Sequence, residues 1–560
     1  MTDVLQRTPV NDLADRFWDG FLERYPTYAT FLGDERYDDR LEDPGPAGRA
    51  AELHAYHDLL AGAEAIDRAG LDVEDAITLD MLAVVARIGL TAHEQQQYQL
   101  ESVNQMAGAQ TLPNDLARIQ KTDTPERVER LAKRLEAYPA FIDAVIQNVE
   151  DSKASGKTSA RPVIERTIDQ VGRLLEMPPD EAPLVTRPDL TDEGRQRLRD
   201  VFERHVVPSY RRYHEALKAY LSHARPGDGL WSVPDGDATY RAAVLASTTL
   251  PADPQELHDY GLARLEAIDA ERLAIARSLG YADVAAYRRA LDGDPANFAS
   301  DGAELVRRAE AQVEKAGREA GKFFGRLPRA KCGVRAVEPY MEQEAPPAFY
   351  YPPTPDGSRD GIYFINTYEP ENRPLHRLAS TTYHEASPGH HFQLTIETEL
   401  EGLHPFRTLG SRLVGVAFPE GWGLCSERLA DEMGLYDGEQ ERLGMLDAQA
   451  WRAARLVVDT GMHAFRWTRQ ESIDFLLTRV GLTLLESETE TDRYISWPGQ
   501  ALAYMSGQRE IEGLRRQLEA RDGDRFDLKG FHDAVLGHGS LPLATLRREL
   551  PGWVKPAAGA

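Results

Sequence analysis

The chain has 560 residues and a formal net charge of -26, so it has no overall basic surface to neutralise nucleic-acid phosphates or bind anionic lipid. Its two cysteines, Cys332 and Cys425, are too few for a disulfide framework, and the first twenty residues carry acidic groups where a secretory signal has an apolar core. The composition therefore predicts a cytoplasmic protein with neither a nucleic-acid nor a membrane partner.

Helical patterns dominate the first half of the chain. Apolar residues recur at three- and four-residue steps in "NDLADRFWDGFLERY", in "ERVERLAKRLEAYPAFIDAVIQNVEDS" and in "EGRQRLRDVFERHVVPSYRRYHEALKAYLSHA". A stretch rich in Pro, Gly and Asp, residues 224–240, then interrupts the pattern. We expect an N-terminal helical lobe over residues 1–230 and a C-terminal lobe over residues 231–560.

The clearest strand prediction is "GIYFINTY", residues 361–368, which is aromatic, β-branched and bounded by turn residues. Two interpretations stay open for it. It could be an ordinary buried strand, or an edge strand that pairs with extended peptide substrate through main-chain hydrogen bonds. Helical patterns resume after it and continue to the C-terminal region.

The segment "TTYHEASPGHHFQ", residues 381–393, resembles a lengthened His-Glu-x-x-His zinc motif. In the short motif two histidines share one helix face, and the Glu acts as general base on the water that the metal activates. On a continuous helix His390 would point about 240° away from His384, and His391 would lie about 10.5 Å along the axis. A straight helix therefore cannot form this site.

Pro388 and Gly389 offer a solution to this geometry. Proline disfavours helix at the residue before it, and glycine adopts conformations closed to other residues, so a helix begun near Pro374 can end and turn back. The pairs His93-Glu94 and His214-Glu215 lack such a break, which shows that the dipeptide alone means little. Residues 384–391 are thus predicted to form a hinge that brings either His390 or His391 to His384.

A third ligand is expected from another helix, and "PEGWGLCSERL" supplies Glu420. We expect Glu420 to bind the metal and Glu427, seven residues on, to support a ligand. The alternative for Glu420 is a first-turn glutamate that merely complements the helix dipole. Cys425 lies in the same segment, but no Cys-His context supports a nucleophilic role for it.

At these residues the sequence resembles a bacterial family known as domain of unknown function 885, related to the gluzincin-like helical metallopeptidases. The resemblance rests on "YHEASPGHHFQ", "PEGWGLCSE", "RLVVDTGMHAFRWT" and "RYISWPGQALAYMSG" and extends over nearly the whole chain. It implies a mainly α, zincin-like fold with two lobes around a deep cleft and a small β-sheet near the active site. Similarity to helical carboxypeptidases whose motif ends Gly-His implies that His390, after Gly389, is the second histidine ligand.

Polar residues on later helices complete the predicted site. Arg455, Asp459 and His463 recur every four residues, either as a buried structural row or with His463 as an electrophile oriented by Asp459 and Arg455 holding a substrate carboxylate. Tyr494 and Tyr504 are candidate donors to a developing oxyanion. Arg493 follows an acidic run and is predicted to be a surface ion-pair residue.

The leading functional hypothesis is a zinc-dependent hydrolase of amide bonds acting on small peptides. His384, His390 and Glu420 would hold one Zn²⁺ or another divalent ion, and Glu385 would be the general base. Two alternatives stay open: a metal-dependent amidohydrolase acting on a non-peptide metabolite, and a noncatalytic helical binding protein with a relict metal site. The oligomeric state is left open by the sequence.

Overall fold

The computed structural model describes residues 7–338, 342, 345–354, 357 and 359–557. The protein is mainly helical, with one small sheet, as the sequence predicts. The helices before the sheet are α1 Pro9–Arg24, α2 Pro26–Phe31, α3 Pro46–Glu64, α4 Val73–Glu94, α5 Tyr98–Glu101, α6 Leu112–Ile119, α7 Pro125–Glu136, α8 Tyr138–Ser155, α9 Arg161–Glu176, α10 Asp192–Val201, α11 Val207–Tyr220, α12 Gly236–Thr248, α13 Pro254–Ser278, α14 Val284–Asp292 and α15 Gly302–Phe323.

The sheet and a second series of helices complete the chain. The strands are β1 Cys332–Ala336, β2 Ala348–Tyr351 and β3 Gly361–Ile365. The later helices are α16 Leu375–Glu385, α17 His390–Thr398, α18 Pro405–Leu409, α19 Ala417–Glu432, α20 Glu439–His463, α21 Arg469–Phe475, α22 Leu484–Ser496, α23 Ala503–Asp522, α24 Leu528–Leu536 and α25 Leu543–Trp553.

Local sequence accounts for many of the helix starts. Thr124 caps α7 by accepting a hydrogen bond from the Arg127 amide, and Pro125 occupies the first helical position, where a missing N–H does no harm. Helix α22 begins with a capping box, in which Thr483 and Glu486 each bind the other's backbone amide. These signals fix the ends of helices whose apolar faces then pack together.

The largest hydrophobic cluster draws on nearly the whole chain, from Val10 to Val554. Helix α20 lies at its centre: residues 453–463 are all buried, and the helix packs against α13 and α16. Helix α19 packs against both α16 and α23. Members of the cluster come from both sides of residue 230, and the division into lobes at that point stays a prediction.

The three strands form a mixed sheet in the order β1-β3-β2. Strand β3 pairs in parallel with β1, with Cys332 opposite Gly361, and antiparallel with β2, with Ala348 opposite Ile365. The strand predicted in "GIYFINTY" is thereby confirmed, but its suggested role as a substrate-pairing edge strand is wrong. Both of its edges are already occupied, so its main chain has no free row of donors and acceptors for a peptide.

Helix α4 is the one helix in the described part of the chain that is long and apolar enough to cross a membrane. Half of its most apolar 18-residue window is buried inside the protein, and the helix packs against α1, α3 and α12. A buried core helix passes the same test of length and composition, so this is weak evidence for a membrane span.

Candidate metal centre

The helix containing His384 ends one residue after it, and the chain turns back as predicted. Helix α16 stops at Glu385, a cis Ser387-Pro388 peptide follows, and α17 begins at His390. A Cβ on Gly389 would lie 1.9 Å from the carbonyl oxygen of His384, so no larger residue fits this turn without movement. The Trp422 indole donates to the Pro388 carbonyl at 3.0 Å and ties the turn to α19.

The turn brings three of the predicted residues together. His384, His390 and Glu420 each offer one potential metal-ligand atom, and these three atoms lie within 4.8 Å of one another. The Glu420 carboxylate is 3.5 Å from Nε2 of His384 and 3.6 Å from Nε2 of His390. These distances exceed the usual hydrogen-bond range of about 2.7–3.2 Å but suit ligands that each lie about 2.0–2.2 Å from one shared ion.

The surroundings hold His384 in one orientation. Its Nδ1 lies 2.9 Å from the Glu427 carboxylate, whose other oxygen accepts a hydrogen bond from Gln449 at 2.9 Å. A carboxylate behind a histidine in this way fixes the tautomer, so that Nε2 is left free to bind a metal. Gly423 gives the ring its space, because a Cβ there would lie 2.8 Å from His384.

The electrostatics of the group also favour a cation. Burial alone lowers the pKa of His384, but the carboxylates of Glu420 and Glu427 outweigh burial and raise that pKa to about 10. Burial opposes ionisation of Glu420, yet the two imidazoles hold the pKa of Glu420 well below its usual range. The two carboxylates therefore favour a positive charge at His384, held as a proton until a metal displaces it, and Glu420 stays ionised beside both rings.

His391 points away from this group. Its Nδ1 lies 2.8 Å from the hydroxyl of Tyr350 on β2 and 3.2 Å from that of Thr395. Burial lowers the pKa of His391 to about 4, so the ring is neutral. Of the two alternatives that spacing leaves open, the structure brings His390 to His384 and places His391 against the sheet.

Glu385 lies at the end of α16, directly after His384, and its side chain is half-buried. Glu385 is close to Tyr363 of β3. Burial raises the pKa of Tyr363, and the charge of Glu385 raises it further. The predicted base thus directly follows a candidate ligand in the chain and lies near the sheet.

Tyr504 lies beside the same group, and Arg455 lies next to Tyr504. The Tyr504 ring stacks on His384 with centroids 6.4 Å apart, and the Arg455 guanidinium carbon is 4.6 Å from the Tyr504 centroid. Tyr494 is one step further away, since its hydroxyl accepts from Nε of Arg455 at 3.0 Å and donates to Glu490 at 2.7 Å. The Tyr494 hydroxyl already has its donor and acceptor partners within the protein.

His463 and Asp459 are engaged with the interior of the fold. Both ring nitrogens of His463 have main-chain partners, the Leu230 amide at 3.2 Å and the Tyr494 carbonyl at 3.0 Å. Asp459 accepts from the Tyr240 hydroxyl at 2.6 Å and from the Gly499 amide at 3.1 Å. These contacts favour the buried structural row over the electrophile role that was the alternative for His463.

Two neighbours of the site, Gln449 and Glu490, were not predicted from the sequence, and the position of a third, Arg493, was predicted incorrectly. Gln449 and Glu490 belong to no recognisable motif. The only signal for each was its spacing from a predicted site residue on the same helix. Arg493 forms an ion pair with Glu490 at 3.5 Å, but its side chain is only 20% exposed, so the prediction of a surface position is wrong.

Cys425 is a free thiol, and burial raises its pKa well above the ordinary value. This agrees with the expectation that Cys425 has no nucleophilic role.

Comparisons with known proteins identify similar folds. A search of curated proteins finds no match. One solved structure, "The crystal structure of the putative lipoprotein from Colwellia psychrerythraea", is 26% identical, with a TM-score of 0.88 over 97% of this chain and 98% of that chain. A second, "The structure of a putative lipoprotein of unknown function from Shewanella oneidensis", is 18% identical, with a TM-score of 0.76 over 97% and 100% of the two chains.

The predicted cytoplasmic location is contradicted by these comparisons, because both similar structures carry the description "putative lipoprotein". Lipoproteins are held at membranes by covalently attached lipid. The prediction failed because cysteine number and the charge of the first residues describe the polypeptide and carry little information about its compartment.

The family model described as "Bacterial protein of unknown function (DUF885)" matches residues 26–550. The match covers nearly the whole chain, and the protein belongs to this family.

Proposed function

We propose that the protein is a zinc-dependent hydrolase of amide bonds that acts on small peptides. The observation that carries this proposal is the convergence of His384, His390 and Glu420 from two sides of a turn and a neighbouring helix. Two imidazoles and one carboxylate are the protein ligands of many hydrolytic zinc sites, which keep one further position open. Other divalent ions accept the same ligands.

The residues fit a metal ion in three further respects. Neither ring nitrogen of His390 makes a strong hydrogen bond: Nε2 lies 3.6 Å from Glu420, and Nδ1 is buried with no hydrogen-bond partner within the described ranges. Nδ1 of His384 is taken by Glu427, so its Nε2 is available. The Glu420 carboxylate faces both histidines at distances too long for strong hydrogen bonds, which leaves its lone pairs available to a cation.

A divalent ion at this position would activate a water molecule and polarise the carbonyl of the scissile amide. In the proposed mechanism Glu385 accepts a proton from that water and donates it to the nitrogen of the leaving amine. Its place directly after His384 on the last turn of α16 suits this role. Glu427 maintains the orientation of His384 throughout, with Gln449 holding the far oxygen of Glu427.

Tyr504 is the better of the two predicted oxyanion donors. Its ring packs on His384, whereas the hydroxyl of Tyr494 is already bonded to Arg455 and Glu490. A preorganised donor at a developing negative charge can contribute several kcal/mol to catalysis. We assign that task to Tyr504 and a positioning role to Tyr494, which helps to hold Arg455 against the Tyr504 ring.

The finer architecture is part of the proposal. The family resemblance implies a zincin-like fold with two lobes around a cleft, and the helical body with a small sheet next to the His384 region supports it. An enclosed cleft would admit short peptides and exclude folded proteins. The preference for small peptides rests on this reasoning.

Paired variants test the proposal. Glu420→Ala should lose both metal and peptide hydrolysis, whereas Glu385→Gln should keep the metal and lose hydrolysis by at least about a hundredfold, as expected for removal of a general base. Glu432 lies on the same helix but pairs with Arg515 at the surface. Glu432→Ala should therefore retain both metal binding and hydrolysis. Metal content and cleavage of a mixed peptide library are the two measurements.

Each outcome has a distinct meaning. Wild-type protein that binds metal but cleaves no member of the library would overturn the peptidase assignment. Cleavage that persists in Glu385→Gln would overturn the role of that residue alone. Loss of metal in Glu432→Ala would show that the variants act through folding and would remove the support that Glu420→Ala gives.

A further inference from the structure

Three arginines surround the face of the candidate site formed by Tyr504. The guanidinium carbons of Arg455 and Arg452 lie 4.6 and 6.0 Å from the Tyr504 centroid. Arg493 joins them through Glu490, which binds both Arg455 and Arg493. We call Arg452, Arg455 and Arg493 the arginine cluster.

The cluster is not neutralised by the acidic residues that contact it. Glu490 lies 2.9 Å from Arg455 and 3.5 Å from Arg493, and it is the one carboxylate in the described structure that pairs with members of the cluster. Arg452 has a single long hydrogen bond, at 3.4 Å, to the Ala448 carbonyl. Three guanidinium groups therefore share one carboxylate and leave a local excess of positive charge.

Arg455 forms the buried base of the cluster. Its side chain is 4% exposed and is packed between the rings of Trp451 and Tyr504. Its Nη2 binds Glu490 and its Nε binds Tyr494, while its Nη1 is buried with no hydrogen-bond partner among the residues that the structure describes. A buried N–H donor without a hydrogen bond costs free energy unless another group accepts from it. Nη1 of Arg455 therefore indicates a place for an acceptor.

Arg493 is the less buried of the two arginines that bind Glu490, with a side chain that is 20% exposed against 4% for Arg455. Its Nη2 donates to the amide oxygen of Gln500 at 2.8 Å, which holds the guanidinium in place. The neutral Gln500 does not balance the charge of Arg493, and the 3.5 Å distance from Arg493 to Glu490 is too long for a full fork-to-fork ion pair. Arg493 is thus positioned by a neutral partner and can still bind a carboxylate.

The distances suit a group on the substrate near the scissile bond. From His384 the contacts run to Tyr504 at 6.4 Å between rings, and from Tyr504 to Arg455 at 4.6 Å. An extended chain covers about 3.3–3.6 Å per residue, so a carboxylate within about three residues of the cleaved amide could reach Arg455.

We propose that the arginine cluster binds a carboxylate of the substrate, with Nη1 of Arg455 and the guanidinium of Arg493 as the groups that contact it. This inference rests on the proposed amide hydrolase. The carboxylate could be the C-terminus of a peptide or an acidic side chain. A competing explanation is that the arginines only balance the charges of Glu385, Glu420 and Glu427.

The test compares peptides that differ in one negative charge. Metal-loaded wild type, Arg493→Gln and Arg493→Lys are given an N-blocked peptide with a free C-terminus, its C-terminal amide, and the amide with a glutamate next to the cleaved bond. Arg509→Gln is the control, because that arginine pairs with Glu256 at the surface. Binding of each peptide to Glu385→Gln is measured separately by calorimetry.

For the preferred carboxylate, Arg493→Gln should raise KM by about tenfold to a hundredfold, the effect of losing a hydrogen bond to a charged group. KM for the uncharged amide should change little, and Arg493→Lys should restore part of the difference. Preference for the free C-terminus or for the glutamate peptide identifies the source of the carboxylate.

Equal loss for charged and uncharged peptides in Arg493→Gln would overturn the inference, as would wild type that does not discriminate between them. If wild type cleaves no peptide, the proposed function fails. The calorimetry then still decides the inference, because tighter binding of the charged peptides supports carboxylate recognition and equal binding contradicts it.

Discussion

At the scale of single residues, the candidate site depends on positions where only one side chain fits. Gly389 is the clearest case, because both His384 and Tyr383 carbonyls approach the space that a Cβ would occupy, at 1.9 and 2.4 Å. Its φ of -82° is not left-handed, and the requirement that the structure shows is one of space. The Pro-Gly pair could be recognised in the sequence as a hinge, but the backbone contact that demands glycine could not.

We predict that Gly389→Ala displaces His384 or His390 and reduces metal affinity by at least about tenfold, with a loss of stability of roughly 1–3 kcal/mol from overpacking. The control is Gly317→Ala in α15, where a Cβ meets no atom within 4 Å. That change should be neutral or stabilise the protein by roughly 0.5–1 kcal/mol. Metal titration and thermal unfolding of both variants provide the measurements.

The neutral state of His463 has a consequence for stability. Burial, with a smaller contribution from Arg225, lowers the pKa of His463 to about 3, whereas an unfolded histidine titrates near 6.5. The unfolded chain therefore binds a proton below pH 6.5 that the folded protein does not. The contribution of His463 is fully present above pH 6.5 and is lost as the pH falls toward 3.

The test uses the difference in unfolding free energy between wild type and His463→Gln. We expect this difference to shrink with falling pH below 6.5, by at most about 1.4 kcal/mol per pH unit. Chemical unfolding at several pH values measures it. A difference that is constant from pH 8 to pH 4 would show that His463 takes up its proton over the same pH range in the folded and the unfolded protein, and would contradict its burial as a neutral ring.

At the scale of elements, the site depends on how closely α19 approaches α23. A Cβ on Gly421 would lie 2.4 Å from the backbone of Gly507, and a Cβ on Gly507 would lie 1.8 Å from the Ala417 carbonyl. This crossing places Tyr504 of α23 next to the helix that carries Glu420. Amphipathic patterns predicted that such helices exist, but the partners and their spacing depend on contacts between residues about 85 positions apart.

We expect Gly507→Ala to destabilise the protein by roughly 1–3 kcal/mol and to weaken metal binding, because α19 must move to admit the methyl group. Gly513 lies on the same helix, and a Cβ there meets no atom within 4 Å. Gly513→Ala should therefore neither destabilise the protein nor weaken metal binding. Thermal unfolding and metal titration again distinguish the two variants. Equal effects would mean that helix propensity and not the crossing determines the result.

At the scale of the whole molecule, the helical class and the strand near residue 361 were readable from periodicity and residue type. The order of the strands was not, because β1 and β2 flank residues 339–347, where Pro and Glu obscure any pattern. The location was predicted incorrectly. Within the site, His384, His390 and Glu420 followed from motif and resemblance, whereas the buried bonds of His463 and the partners of Arg493 required the tertiary structure.

The continuous core leads us to expect a single cooperative unfolding transition. Buried Asp492 also links distant parts of the chain, since it pairs with Arg166 of α9 and Arg469 of α21. Far-ultraviolet circular dichroism and tryptophan fluorescence should therefore report the same midpoint in denaturant. Two separated midpoints would instead support independent lobes on either side of residue 230.

The most direct test of the central claim is the metal content of the purified protein after incubation with zinc and removal of excess ion. We expect about one zinc per chain in the wild type and in Glu432→Ala, and a loss of at least about tenfold in affinity for His390→Ala and Glu420→Ala. His391→Ala should keep the ion, because His391 faces Tyr350. Wild-type protein that binds no zinc, or zinc that stays bound after both ligands are removed, would contradict the proposed centre.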